Sequence, residues 1–187
     1  LPFRLNHINL WMIEEEDGWT LVDTGINDDC TKKLWRIIFD RNLSGKSISR
    51  LICTHAHPDH IGLGGWIHRE YGAKLLITRE EWTFGRMIAT GNMWDEKTYY
   101  DYFLRVGGNA DEFEDYGSHI MTADKLYCDL PNQFDRLREG SVITISGMNW
   151  NVIVGLGHSQ EHACLYCPEL DVLIAGDQVL PKITPTI

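Results

Sequence analysis

Thr54-His55-Ala56-His57-Pro58-Asp59-His60 is the stretch on which the reading of this chain turns. Four groups able to hold a metal ion lie within it: the imidazoles of His55, His57 and His60 and the carboxylate of Asp59. The chain has eight histidines in 187 residues, so three in one heptapeptide is a concentration that packing does not call for. Residues 49–53 just before it form an apolar, strand-like run. The cluster therefore opens at the C-terminal end of a strand, where open α/β sheets gather ligands. Side chains two apart can project to one side and share an ion, and the Asp59-His60 pair then turns toward a neighbouring one. Imidazole and carboxylate together suit zinc, and also iron or manganese.

Completing such a site needs donors from elsewhere. Gly155-Leu156-Gly157-His158 follows a second apolar strand and delivers a histidine to a strand end. Ala175-Gly176-Asp177 follows a third, and its carboxylate reaches the same rim, where it could bridge two cations. His158 and Asp177 are thus expected as ligands, because metal ligands are commonly collected from several strand ends.

Around these points the chain alternates strands and helices. Residues 8–13 and 19–22 read as a hairpin turned at Glu16-Asp17-Gly18. A helix starts near Asp28, capped by Asn27 or Asp28, with Leu34, Ile37 and Ile38 as its buried face. Residues 63–71 read as a helix and 73–77 as a strand. From 79 to about 133 a helical, aromatic-rich insertion (Trp82, Phe84, Met87, Trp94, Tyr99, Tyr100, Tyr102, Phe103) is expected to face substrate, since ligand pockets are rich in aromatics. Short strands at 141–145, 150–154, 163–166 and 172–174 close the chain. The fold class is α/β or α+β with covered sheets, in one domain over 1–187.

The motifs resemble those of the metallo-β-lactamase superfamily. Residues 54–60 match its HxHxDH signature, and Leu21-Val22-Asp23-Thr24-Gly25, Gly157-His158-Ser159 and Gly176-Asp177 match its flanking motifs in the same order. The overall style is most similar to the glyoxalase II and lactonase-type branch. The resemblance implies an αββα sandwich with a two-metal site, zinc by preference, at the sheet edges. It assigns His55, His57 and His158 to the first ion, Asp59 and His60 to the second, and Asp177 to both. It gives Asp59 a further catalytic part, orienting the nucleophile and passing a proton to the leaving group. Asp23 and His162 become residues that orient ligands rather than bind metal. The family supplies one more histidine well downstream, and none follows His162 here, so the sandwich and its second site are expected to be completed beyond Ile187.

The resemblance implies a metal-dependent hydrolase whose metal-bound hydroxide attacks an ester, thioester, lactone or related bond. A mono-iron dioxygenase on the same scaffold and a non-catalytic metal-binding protein are the alternatives. Seventeen basic against 27 acidic residues leave a net charge of −10, which argues against a nucleic-acid partner and for a small-molecule substrate. No run approaches the length that spans a bilayer, so no membrane partner is expected. Cys30, Cys53, Cys128, Cys164 and Cys167 are odd in number and scattered, which reads as reduced thiols in a cytoplasmic protein. The Cys164/Cys167 spacing falls on a strand, where residues three apart face opposite ways, and is read as structural. His7, His68 and His119 are read as surface or locally bonded histidines.

Overall fold

Alternation along three neighbouring strands sets the layers. In the computed structural model, which describes residues 7–91, 95–114 and 123–180, β2 (Gly18–Val22), β3 (Ser47–Ile52) and β4 (Lys74–Ile77) run parallel. Leu21, Leu51 and Leu75 turn to one face and Val22, Ile52 and Leu76 to the other. Successive strand residues point to opposite sides, so each strand with apolar residues in succession is buried twice. β1 (Trp11–Glu14) adds antiparallel to β2, and β5 (Asp135–Arg136) adds parallel to β4, giving a five-stranded sheet in the order β1-β2-β3-β4-β5.

One face of this sheet is covered by helices. α1 (Asp29–Asn42) is capped by Asp28, whose carboxylate accepts from Thr31 N at 2.6 Å. The expected buried face of α1 is corrected here. Leu34, Ile37 and Ile38 are 54%, 38% and 37% exposed, whereas Trp35 and Phe39 are each 3% exposed. The two aromatics sit four apart with ring centroids at 4.9 Å. They bury more apolar area than the three aliphatics, and Trp35 Nε1 finds the Thr24 carbonyl at 2.7 Å, so that side of the helix turns inward. α2 (Pro58–Ile61) and α3 (Gly64–Tyr71) add Ile61, Trp66 and Ile67 to the same core.

The other face packs on a second, wholly antiparallel sheet: β6 (Val142–Ile145), β7 (Met148–Gly155), β8 (His162–Cys167) and β9 (Val172–Ile174), in that order. Ile145, Trp150, Val152, Ala163, Leu165, Cys167 and Ile174 meet Val22, Ile52 and Leu76 between the sheets. Helix, sheet and sheet are thus stacked as expected. On the outward side of the second sheet Val142, Ile153 and Leu173 are exposed, and no helix covers it among the described residues.

The segment from 79 onward forms α4 (Arg79–Ala89), α5 (Glu96–Arg105), α6 (Ala110–Glu112) and a 3₁₀ turn over Ala123–Leu126. α4 is part of the core, with Glu81, Gly85 and Ile88 buried. α5 has no buried residue, and its Tyr100 and Phe103 rest on Phe113 with centroids at 4.8 and 5.7 Å. Trp94, His119 and residues 181–187 lie outside the described residues.

Candidate metal centre

Four strand ends converge at one edge of the sandwich. β3 runs into Cys53, Thr54 and His55, and β2 runs into Asp23. β7 runs into the loop of His158, and β9 into Asp177. The two sheets are tied here by the backbone, since Ala163 N donates to the Thr54 carbonyl at 2.8 Å.

His55, His57, His158 and Asp177 each bring a donor atom to a group in which all lie within 4.8 Å of one another. His158 Nε2 stands 3.2 Å from His55 Nε2, and the His57 ring centroid is 4.6 Å from those of both His55 and His158. Asp177 reaches beyond this group. Its Oδ2 is 3.5 Å from His158 Nε2, while its Oδ1 is 3.3 Å from His60 Nε2. Asp59 Oδ2 lies 3.8 Å from the same His60 nitrogen. All six residues expected as ligands are therefore at one place, divided into two sets by the two oxygens of Asp177.

His60 supplies the test of whether a cation fits. Its Nε2 is buried between the Asp177 and Asp59 carboxylates, 3.3 and 3.8 Å away, without a well-aligned hydrogen bond to any described residue. A buried polar atom left unpaired is costly, and a cation facing it, Asp59 and Asp177 would satisfy all three. The donor set, imidazole nitrogens with carboxylate oxygens, suits zinc, iron or manganese.

Asp23 and His162 lie behind the candidate donors and bond to them or to their neighbours. Asp23 has φ 62°, a left-handed conformation that Asp tolerates better than most residues. From there its Oδ1 accepts from Thr54 N and its Oδ2 from Thr54 Oγ1, both at 2.8 Å, and Oδ2 also faces His60 Nδ1 at 2.7 Å. His162 is buried with its ring stacked on His55, and its Nε2 accepts from Asp177 N at 3.1 Å. That bond explains Gly176: at φ 51° a Cβ there would stand 2.6 Å from His162 Nε2. Of the remaining histidines, His68 is bonded locally to the Ala73 carbonyl and His7 is exposed.

The charge pattern follows from burial and neighbours. Burial and the surrounding imidazoles hold His55 well below the ordinary histidine range and His57 at about 4. Burial likewise brings His162 down to about 4. His60 goes the other way. Burial would lower it, but Asp23, Asp177 and Asp59 outweigh that and raise it to about 10. Burial raises Asp59 above the usual carboxylate value.

Two residues with no sequence signal serve the site. Glu81 of α4 is fully buried and accepts from Ala56 N at 2.8 Å and from Glu161 N at 2.7 Å. Tyr127 donates to the Ala56 carbonyl at 2.8 Å, and burial pushes its hydroxyl well above the ordinary tyrosine range. A cavity of about 430 Å³ opens beside Asp59, His60 and Asp177, with Ile8, Trp11, Leu173, Val179 and Leu180 among its walls. None of the described residues of 79–133 lines it.

Residues 4–187 match the family model of the Metallo-beta-lactamase superfamily. The chain belongs to that superfamily. It is 25% identical to a metallo-beta-lactamase family protein from Thermus thermophilus, with a TM-score of 0.80, covering 99% of this chain and 59% of that one. A beta-lactamase domain protein from Burkholderia ambifaria is 37% identical with a TM-score of 0.83, over 100% of this chain and 55% of that one. Among curated proteins, a linear primary-alkylsulfatase from Pseudomonas sp. (strain ATCC 19151) is 23% identical over 182 residues, 94% of this chain and 34% of the relative. The chain thus spans between a third and three fifths of these proteins' lengths. As a superfamily member it carries the α/β sandwich and a His/Asp group fitted to metal. The cysteines are all free thiols, four of them buried, and no helix among the described residues is long and apolar enough to cross a membrane.

Proposed function

We propose that this chain carries the metal centre of a dinuclear zinc hydrolase acting on ester-type bonds: carboxylic esters, thioesters, lactones or sulfate esters. The observation that carries the reading is the division of Asp177, one oxygen toward His158 and one toward the buried Nε2 of His60. Bound there, two cations supply Lewis acidity for the electrophile and activate water at neutral pH.

The chain's own residues do the rest. His55, His57 and His158 would hold one ion, Asp59 and His60 the other, and Asp177, which faces both sets, would serve either. Asp23 keeps the His60 proton on Nδ1, so that Nε2 is the free donor. His162 holds the Asp177 backbone, which fixes where both carboxylate oxygens point. Asp59, whose carboxylate lies 3.8 Å from His60 Nε2, is placed to orient the nucleophile and pass a proton to the leaving group. The apolar walls of the cavity beside Asp59 take a hydrophobic acyl or alkyl group and keep water from it. Sulfate esters join the class through the alkylsulfatase similarity.

The test is elemental analysis of the purified protein, followed by a panel of p-nitrophenyl esters, thioesters, lactones and alkyl sulfates with zinc restored after chelation. About two zinc ions per chain and chelator-sensitive hydrolysis support the reading. One iron per chain with oxygen uptake on a persulfide would replace it with the dioxygenase alternative.

A further inference from the structure

Glu81 lies outside the motifs of the site, yet it touches both halves of it. Its Oε2 accepts the amide of Ala56, the residue between His55 and His57. Its Oε1 accepts the amide of Glu161, in the loop that runs from His158 to His162. The first loop leaves the five-stranded sheet and the second belongs to the four-stranded one. One fully buried carboxylate therefore spans the two loops that bring His55, His57 and His158 together.

Neighbouring bonds show that this is a built arrangement. The start of α4 grips Glu161 at two further points: Thr78 Oγ1 donates to its carbonyl at 2.8 Å, and Glu80 N donates to its carboxylate at 3.1 Å. Ala56 is held from its other side, its carbonyl accepting from Tyr127 at 2.8 Å. Both polar groups of the Ala56 backbone and both of the Glu161 backbone thus go to buried side chains. Charge-assisted bonds from a carboxylate to backbone amides are short and directional, so they fix spacing as well as adding stability. Gly85, one turn further along α4, packs under Leu130, whose Cδ1 would be 3.2 Å from a Cβ at 85.

We propose that Glu81 is a positioning residue of the metal centre, setting the spacing between the His55/His57 loop and the His158 loop before any ion binds. The proposal rests on the metal-centre reading for its consequence, but its geometric part can be tested without metal. Hydrogen exchange in the metal-free protein is followed over residues 54–60 and 156–162, and cobalt affinity and the visible spectrum of the cobalt-loaded protein are measured in parallel. Glu81→Gln sets an amide NH₂ against one of the two N–H groups. It is expected to speed exchange in the segment that loses its bond, to weaken cobalt binding about 10–100-fold, the usual cost of losing a residue that orients ligands, and to shift the cobalt bands. Tyr127→Phe is expected to loosen 54–60 alone, and Thr78→Val 156–162 alone.

Exchange unchanged by Glu81→Gln in both 54–60 and 156–162, or cobalt affinity and spectrum kept while only thermal stability falls, would overturn the proposal. Should Glu81→Gln fail to fold, Glu81→Asp is read the same way. Its shorter reach releases one of the two amides, and wild-type exchange and affinity in that variant would equally overturn it. If the wild-type protein takes up no cobalt, the metal reading fails, while the two-segment exchange pattern still decides what Glu81 does.

Discussion

His60 Nδ1 lies 2.7 Å from Asp23 Oδ2, and both side chains are buried. The same Asp23 carboxylate holds the amide and hydroxyl of Thr54, so its orientation is fixed from the β3 side. A carboxylate facing Nδ1 selects the tautomer that leaves Nε2 free, and Nε2 is the atom turned to Asp59 and Asp177.

Asp23→Asn should therefore damage one ion site and spare the other. With an NH₂ group facing it, His60 is driven to carry its proton on Nε2, where it cannot be a ligand. Affinity at the His60/Asp59 site is expected to fall about 10–100-fold, with the His55/His57/His158 site held within a few-fold. Zinc titration against a chromophoric chelator resolves the two affinities. An equal loss at both sites would mean that Asp23 acts on the fold rather than on His60.

Asp177 stands between the two sets, so its removal should differ from that of a ligand to one ion. Asp177→Ala is expected to take zinc content from about two per chain to one or fewer and to cut kcat/KM at least about 10²-fold, the scale of one lost electrostatic stabiliser. His57→Ala should weaken one site only. Zinc content and hydrolysis rates of the two variants, measured side by side, check this. Two tightly held ions in Asp177→Ala would remove the shared-carboxylate assignment.

Much of this centre was legible in the sequence because its donors are rare residue types in a fixed local order. His55, His57, Asp59 and His60 come from one heptapeptide, and His158 and Asp177 each follow a recognisable apolar strand. The strands and the two longer helices of the first 77 residues could be read from local periodicity, whereas the short α2 (Pro58–Ile61) within the histidine stretch could not. What could not be read was the outcome of competition between faces, as in α1, where aromatic area outweighed an aliphatic i, i+3, i+4 pattern. Glu81 was invisible for another reason. Its sequence neighbours Arg79 and Glu80 are ordinary helix-start residues, and its partners Ala56 and Glu161 lie 25 and 80 positions away. Backbone amides carry no residue signature.

The reversal of α1 has a measurable consequence. Phe39 is buried between Trp35 and Tyr71, with centroids at 4.9 and 4.8 Å. Phe39→Ala is expected to cost about 3–5 kcal/mol, whereas Leu34→Ala or Ile38→Ala should stay within about 0.5–1 kcal/mol. Urea unfolding with a common m-value would measure all three. A large loss at Leu34 would show that this exposed face is covered by something in solution.

Acid sensitivity can be separated from the metal centre through Glu15. It sits at the hairpin turn, paired with Arg50 and accepting from Thr20 Oγ1 at 2.5 Å, while Arg50 Nε donates to the same Thr20 oxygen at 3.1 Å. Burial alone would raise its carboxyl, but the bonds from Arg50 and Thr20 outweigh that and hold it below the ordinary value of 4.5. The folded state therefore binds this proton less readily than the unfolded state. Its contribution is fully present above about pH 4.5 and is lost as the pH falls through the lower, folded value. Because the pair is partly exposed, the contribution is set at about 1 kcal/mol, or roughly 2–4 °C in Tm for a chain of this size. Glu15→Gln should show that deficit at pH 7 and converge on wild type near pH 3, as measured by thermal melts of the metal-free protein. A deficit that stays constant across that range would mean that the side chain contributes by packing rather than by charge.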